Sequence, residues 1–144
     1  MPNHKTHDRV GLFLTPAVVG LAVATNMEAN HAIVLVGSYV AATYLITPDL
    51  DTDSAPYYRW GILRALWYPY KRIMPHRSWM SHSGPLSGTI RFLYFVLLSM
   101  LILGLLGITK EQLLQFTSYY GIIWLSIVLV DTVHVILDHI WKDK

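Results

Sequence analysis

The stretch that decides the fold is residues 119–139, which read YYGIIWLSIVLVDTVHVILDH. It is long enough to cross a bilayer, since a transmembrane helix needs about 20 apolar residues. Asp131, His134 and Asp138 interrupt it at i, i+3 and i+7, which places them along one stripe of a helix. Ionisable groups at membrane depth are costly unless they are paired or coordinated. The stretch therefore predicts a membrane helix that carries a functional polar stripe.

Three further apolar blocks precede this one. The four predicted spans are about 10–25, 31–47, 90–108 and 119–137. Of the residues, 53% are hydrophobic and 14% are charged, whereas about 25% are charged in an average soluble domain. We predict an all-α, polytopic membrane protein with about four transmembrane helices in a single membrane domain, 1–144. The aromatic and basic segment 48–89 is predicted to lie in the lipid headgroup region. A soluble all-α core is the alternative.

Basic residues lie almost entirely on one side of the predicted bundle. With four crossings, the N-terminus, the 48–89 segment and the C-terminus share a side, and of the 11 Lys and Arg residues only Lys110 lies opposite. Loops rich in Lys and Arg stay in the cytoplasm. We therefore expect a multi-pass inner-membrane protein with both termini in the cytoplasm.

The composition limits the chemistry. The chain has no cysteine, which excludes disulfides, thiolate metal sites and cysteine nucleophiles. The net charge of +2 and the lack of a Lys/Arg run argue against nucleic acid as a partner. A bound metal must be held by nitrogen and oxygen atoms.

Four segments carry residue types that bind metals in this way, and each lies at the predicted cytoplasmic end of a span. They hold His4, His7 and Asp8; Asp49, Asp51 and Asp53; His76 and His82; and Asp131, His134, Asp138 and His139. Because the four ends share one side of the membrane, these side chains could meet. His31 lies on the opposite side and is excluded, and membership stays open for His4, Asp8, Asp53 and His139.

The ordered motifs THDR (6–9), PDLD (48–51), HRSWMSH (76–82) and a late Asp/His helix resemble the bacterial membrane-bound, metal-dependent hydrolases of the YdjM type. The resemblance covers nearly the whole chain and is strongest to the branch labelled uncharacterised metal-binding protein. It implies a metal centre built from His7, Asp49, Asp51, His76, His82, Asp131 and His134.

Mixed His and Asp ligation suits one or two divalent ions, with zinc favoured and manganese or iron as alternatives. The favoured activity is metal-dependent hydrolysis of a lipid-borne ester, with a phosphoester favoured. Asp138 would act as general base and Arg77 would stabilise negative charge, although Arg77 is equally explained as a positive-inside residue. Ser78, Ser81 and Ser83 are expected to hydrogen-bond the ligands.

The alternative functions are a non-enzymatic metal sensor, a metal carrier or a structural protein. Membrane lipid is the expected partner, and the oligomeric state stays open.

Overall fold

The computed structural model describes residues 4–75 and 78–141, and all regular structure in these ranges is helical. Two short 3₁₀ helices, Pro48–Asp51 and Gly61–Trp67, lie between the α-helices. The α-helices are α1 (His4–Phe13), α2 (Thr15–Ala24), α3 (Ala29–Leu45), α4 (Ala55–Arg59), α5 (Tyr68–Ile73), α6 (Pro85–Leu105), α7 (Lys110–Leu114) and α8 (Thr117–Ile140).

The helix α8 lies at the centre of the bundle, between α3 and α6. Its buried residues are Ser126, Ile127, Val130, Asp131, His134 and Leu137. The helices α1 and α2 pack against α3, and α1 also contacts α8. The decisive stretch of the sequence is thus the helix on which the others assemble.

Two small residues allow the helices to approach closely. A Cβ atom at Gly88 of α6 would lie 3.0 Å from Val128 Cα and 3.3 Å from Asp131 Oδ2 of α8. A Cβ atom at Gly11 of α1 would lie 2.5 Å from Thr43 Cγ2 of α3. Small residues at such crossings let helix backbones pack tightly, so both positions fix how the helices sit against each other.

Three helical stretches are long and apolar enough to cross a membrane: His4–Ala24, which combines α1 and α2, Pro85–Leu105 and Thr117–Ile140. They correspond to three of the four predicted spans. The remaining predicted span, 31–47, is α3, an apolar helix of 17 residues. It ends at Leu45 rather than Thr47 because Pro48 begins the next element, and the residue before a proline disfavours the α conformation.

The segment between α3 and α6 folds into short helices that pack on the bundle. Trp67 and Tyr70 are buried, and both rings pack against Tyr94 of α6. Trp60 Nε1 donates a hydrogen bond to the carbonyl oxygen of Leu45 at 2.8 Å. Part of the aromatic content predicted for the headgroup region is therefore core, whereas Ile62 in the same segment is 94% exposed.

Candidate metal centre

The alternating direction of the helices brings the predicted ligand segments together. Four segments lie at one end of the bundle: the start of α1, the 3₁₀ helix after α3, the loop before α6 and the end of α8. They supply His7, Asp49, His82 and the pair His134 and Asp138, whose ligand atoms form two neighbouring groups. This convergence agrees with the prediction from the sequence.

The first group contains His7, His134 and Asp138. His7 Nε2 lies 3.3 Å from Asp138 Oδ1, and His134 Nε2 lies 3.6 Å from Asp138 Oδ2. The two imidazole rings are stacked, with centroids 3.8 Å apart and planes inclined by 12°. His134 and Asp138 are one helical turn apart on α8, and α1 brings His7 against both.

The second group contains Asp49, His82 and His134. Asp49 Oδ1 lies 3.7 Å from His134 Nε2 and 3.9 Å from His82 Nε2. His134 belongs to both groups, and the same Nε2 atom faces Asp49 and Asp138. The two groups therefore form one continuous cluster around His134.

The spacing of these donor atoms fits a metal ion. The distances of 3.3 to 3.9 Å are longer than the usual hydrogen-bond range of about 2.7–3.2 Å. Ligand atoms about 2.0–2.1 Å from a tetrahedral ion lie about 3.3–3.4 Å from one another. Imidazole nitrogens and carboxylate oxygens are also suitable donors for a borderline divalent cation. Both the spacing and the chemistry of the cluster thus fit a divalent metal.

Asp51 and Ser81 contact the other nitrogen of His82. Ser81 Oγ lies 3.0 Å from His82 Nδ1, and Asp51 Oδ2 lies 3.7 Å from it. Metal-binding histidines usually have their second ring nitrogen bonded to a carboxylate, carbonyl or water, which orients the ring. Ser81 thus makes the contact expected of a nearby serine with His82, which stays a predicted ligand. Asp51, predicted as a ligand, is placed where it would orient His82.

Asp131 is placed differently from its predicted role as a ligand. Its carboxylate forms a fully buried ion pair with Arg91 of α6 and accepts a hydrogen bond from Ser87 Oγ at 2.8 Å. Three residues along a helix turn by about 300°, so Asp131 lies about 60° around the axis from His134. This offset directs Asp131 toward α6, while His134 faces α1 and the second group.

Arg91 is a functional candidate that sequence reasoning missed, because it looked like one more positive-inside charge. Its second guanidinium nitrogen donates a hydrogen bond to the carbonyl oxygen of Ser81 at 3.2 Å. It thereby anchors the loop that carries His82. Tyr70 packs over the guanidinium, and burial raises the pKa of its phenol, which stays neutral there. An arginine early in an otherwise apolar helix was the available signal.

Two residues whose membership was open have other partners. Asp8 forms a two-point hydrogen-bonded ion pair with Arg59 of α4, which ties α1 to the interhelical segment. Asp53 contacts Lys71 and accepts a hydrogen bond from Tyr58, and these contacts lower the pKa of Asp53. Both carboxylates are therefore engaged outside the two groups.

His76 and Arg77 lie outside the described residues, so their predicted roles stay predictions.

Asp138, predicted as a general base, directs one carboxylate oxygen at His7 and the other at His134. That arrangement places it among the candidate ligands. His31 lies apart from the cluster, 3.5 Å from Glu28 and beside Tyr119, as expected for an excluded residue.

A family model supports metal binding as a property of this chain. The model of DUF2227, described as "Uncharacterized metal-binding protein", matches residues 2–142. The chain belongs to this family. No curated protein and no solved structure was found to match it. The match agrees with the branch named from the motifs and does not support the wider YdjM-type hydrolase assignment.

The two ends of the bundle differ in the size of their cavities. The end opposite the cluster has a cavity of about 690 Å³, lined mainly by apolar side chains of α3, α6 and α8, such as Val34, Phe95 and Ile123. The space beside His7 and His134 is only about 10 Å³, about the volume that one water needs. A large molecule must therefore approach the cluster from its outer side.

Proposed function

We propose that this chain is an inner-membrane protein that uses its metal centre to hydrolyse a lipid-borne phosphoester at the cytoplasmic face. The observation that carries the proposal is the cluster around His134, whose nitrogen and oxygen donors are 3.3 to 3.9 Å apart. The cluster lies at one end of a bundle whose long helices are apolar enough to cross a membrane.

The surface of α6 supports a lipid environment. Its buried residues are Ser87, Gly88 and Arg91, whereas Leu97 and Leu105 are 63% and 80% exposed. A helix of a soluble bundle buries its apolar stripe instead. A helix that faces lipid keeps polar groups toward the bundle interior, as α6 does.

Four crossings fit the path of the chain. The turn between α2 and α3 lies at the end opposite the cluster, so α3 must bring the chain back to Asp49. At about 1.5 Å per residue, its 17 residues extend about 26 Å, slightly less than the hydrocarbon core of about 30 Å. Local thinning of the bilayer accommodates such a difference.

The orientation follows from the basic residues. Lys5, Arg64 and Arg72 belong to segments at the end that carries the cluster, whereas Lys110 lies at the other end. Under the positive-inside rule, this distribution supports a cytoplasmic position for the cluster end. A cluster on that side would face the phosphoester bonds of the lipid headgroups.

The chemistry requires that a substrate can reach the ion. When bound, a divalent cation would polarise an ester oxygen and acidify water. Asp49 and Asp138 are 23% and 14% exposed, whereas His134 is 4% exposed. The two carboxylates therefore line the side from which a phosphoester would approach. His134 lies on the buried side of the cluster. An accessible side distinguishes catalytic metal sites from closed structural ones.

A structural role for the metal is the second candidate function. The positions of the candidate ligands along the chain support it. His7, Asp49, His82 and His134 come from four separate parts of the chain, so a shared ion would tie four ends of the bundle together. Such a site would contribute to folding without chemistry. A sensor or carrier would use the same ligands.

Hydrolysis in vesicles tests the proposal. The full chain is reconstituted with zinc or manganese into phosphatidylcholine vesicles that contain phosphatidic acid or phosphatidylglycerol, and the products are identified by mass spectrometry. We expect metal-dependent cleavage by the wild type and by His31→Ala, and its loss in Asp49→Asn and His82→Ala. If metal-loaded wild type leaves a broad panel of phospholipids intact, the hydrolase proposal is contradicted and the structural role is favoured.

A further inference from the structure

The stacked imidazoles of His7 and His134 bear on the number of ions in the centre. Their centroids are 3.8 Å apart and their planes differ by 12°. Both Nε2 atoms face the same carboxylate, because His7 Nε2 lies near Asp138 Oδ1 and His134 Nε2 lies near Oδ2. The lone pair of an imidazole nitrogen lies in the plane of its ring, so the two lone pairs run side by side.

A single ion does not satisfy both of these lone pairs. Nearly parallel axes separated by 3.8 Å do not meet at a common point. In two-metal sites, by contrast, the ions lie about 3.5–4 Å apart. The separation of the rings therefore matches the spacing of two neighbouring ions, one on each imidazole.

We infer that the centre holds two divalent ions bridged by Asp138. One ion takes His7 and Asp138 Oδ1. The other takes His134, Asp138 Oδ2, Asp49 and His82. The inference rests on the proposed metal centre and extends it, because it assigns each ligand to an ion.

The two ions differ in how firmly the chain holds them. Among the described residues, the ion on His134 has donors from α8, the 3₁₀ helix and the loop before α6. The ion on His7 has donors from His7 and Asp138 alone in the same ranges. More protein ligands of fixed geometry hold an ion more tightly, so the ion on His7 exchanges first, and its free positions are available to a phosphoryl oxygen.

Metal counting and spin resonance test this assignment without an activity assay. The full chain in detergent is equilibrated with Mn²⁺ or, separately, with Zn²⁺, and bound metal is counted by equilibrium dialysis. The manganese sample is also analysed by electron paramagnetic resonance. We expect about two equivalents with the exchange-coupled spectrum of neighbouring ions. His7→Ala should hold about one equivalent with an uncoupled spectrum, and His31→Ala should behave as the wild type.

The outcomes separate this inference from the proposed centre. One equivalent in the wild type, or two uncoupled ions, overturns the bridged pair and leaves a mononuclear centre in place. Two coupled ions in His7→Ala overturn the assignment of His7. No manganese and no zinc in the wild type would overturn the metal centre together with the pair. Because the wild-type spectrum decides the first question, a folding defect in a variant does not obscure it.

Discussion

Arg91 and Asp131 form an ion pair between α6 and α8 in which both side chains are fully buried. The guanidinium also donates a hydrogen bond to the Ser81 carbonyl oxygen, next to His82. One arginine thus connects the packing of two central helices to a candidate metal ligand. Buried charges of this kind are costly when one partner is removed.

The pair predicts a large loss of stability in single variants. Asp131→Leu leaves the Arg91 guanidinium buried without its counter-charge and should lower the free energy of unfolding by about 3–5 kcal/mol. Denaturant unfolding in detergent, followed by tryptophan fluorescence, measures the change. The double variant Arg91→Met/Asp131→Leu removes both charges and should cost clearly less than the sum of the single variants. Additive losses would show that the two charges do not depend on each other.

The contact between Ser81 and His82 predicts an effect on metal affinity. Ser81→Ala removes the hydroxyl that lies 3.0 Å from His82 Nδ1, and loss of such a partner weakens metal binding about 10–100-fold. Competition with a chelating zinc indicator measures the dissociation constant. Ser99→Ala is the matched control, because among the described residues that hydroxyl donates to the Phe95 carbonyl oxygen in its own helix, away from the cluster. Equal affinities in the two variants would contradict the orienting role of Ser81.

The close approach of α6 and α8 predicts a difference between two glycines of one helix. Gly88→Ala places a methyl group 3.0 Å from Val128 Cα, and overpacking of this kind costs about 1–3 kcal/mol. Gly104→Ala places its methyl group where nothing lies within 4 Å and should be neutral or slightly stabilising, since alanine favours helix. Unfolding midpoints of both variants check the result, and an unchanged midpoint for Gly88→Ala would refute the close packing.

The proposed membrane orientation predicts which residues a membrane-impermeant reagent can label from outside the cell. Because the chain has no cysteine, Lys110→Cys and Arg72→Cys each carry a single thiol, and both positions are exposed. In intact cells, a membrane-impermeant maleimide should label Lys110→Cys and should label Arg72→Cys only after lysis. Labelling in the reverse order would invert the topology, and labelling of both in intact cells would contradict four crossings.

The overall arrangement could be predicted because it depends on features that repeat along the sequence. Successive apolar blocks place their helix ends on alternating sides, and the long 48–89 segment stays on one side, which brought His7, Asp49, His82 and His134 to one end. Three of the predicted spans coincide with helical stretches that are long and apolar enough to cross a membrane, although the ends of these stretches differ by several residues from the predicted ends. The start of α1 at His4 rather than near Val10 was hidden because its first two turns are polar, and among them His7 faces the cluster.

The partners of individual side chains could not be predicted in the same way. Whether Asp131 joins His134 or Arg91 depends on how α8 is rotated against α6, and close packing at Gly88 fixes that rotation. Arg91 was indistinguishable in sequence from the other basic residues, because only its burial shows that it pairs with Asp131. The stacking of His7 on His134 joins residues that are far apart in the chain and leaves no pattern in either segment.

The metal content of the purified protein tests the central claim most directly. The full chain is isolated in detergent without chelators and analysed for zinc, manganese and iron by elemental mass spectrometry, beside His134→Ala and His31→Ala. We predict about one or two equivalents of a divalent metal in the wild type and in His31→Ala, and little in His134→Ala. A wild-type protein without metal, or a His134→Ala variant that retains all of it, would contradict the account.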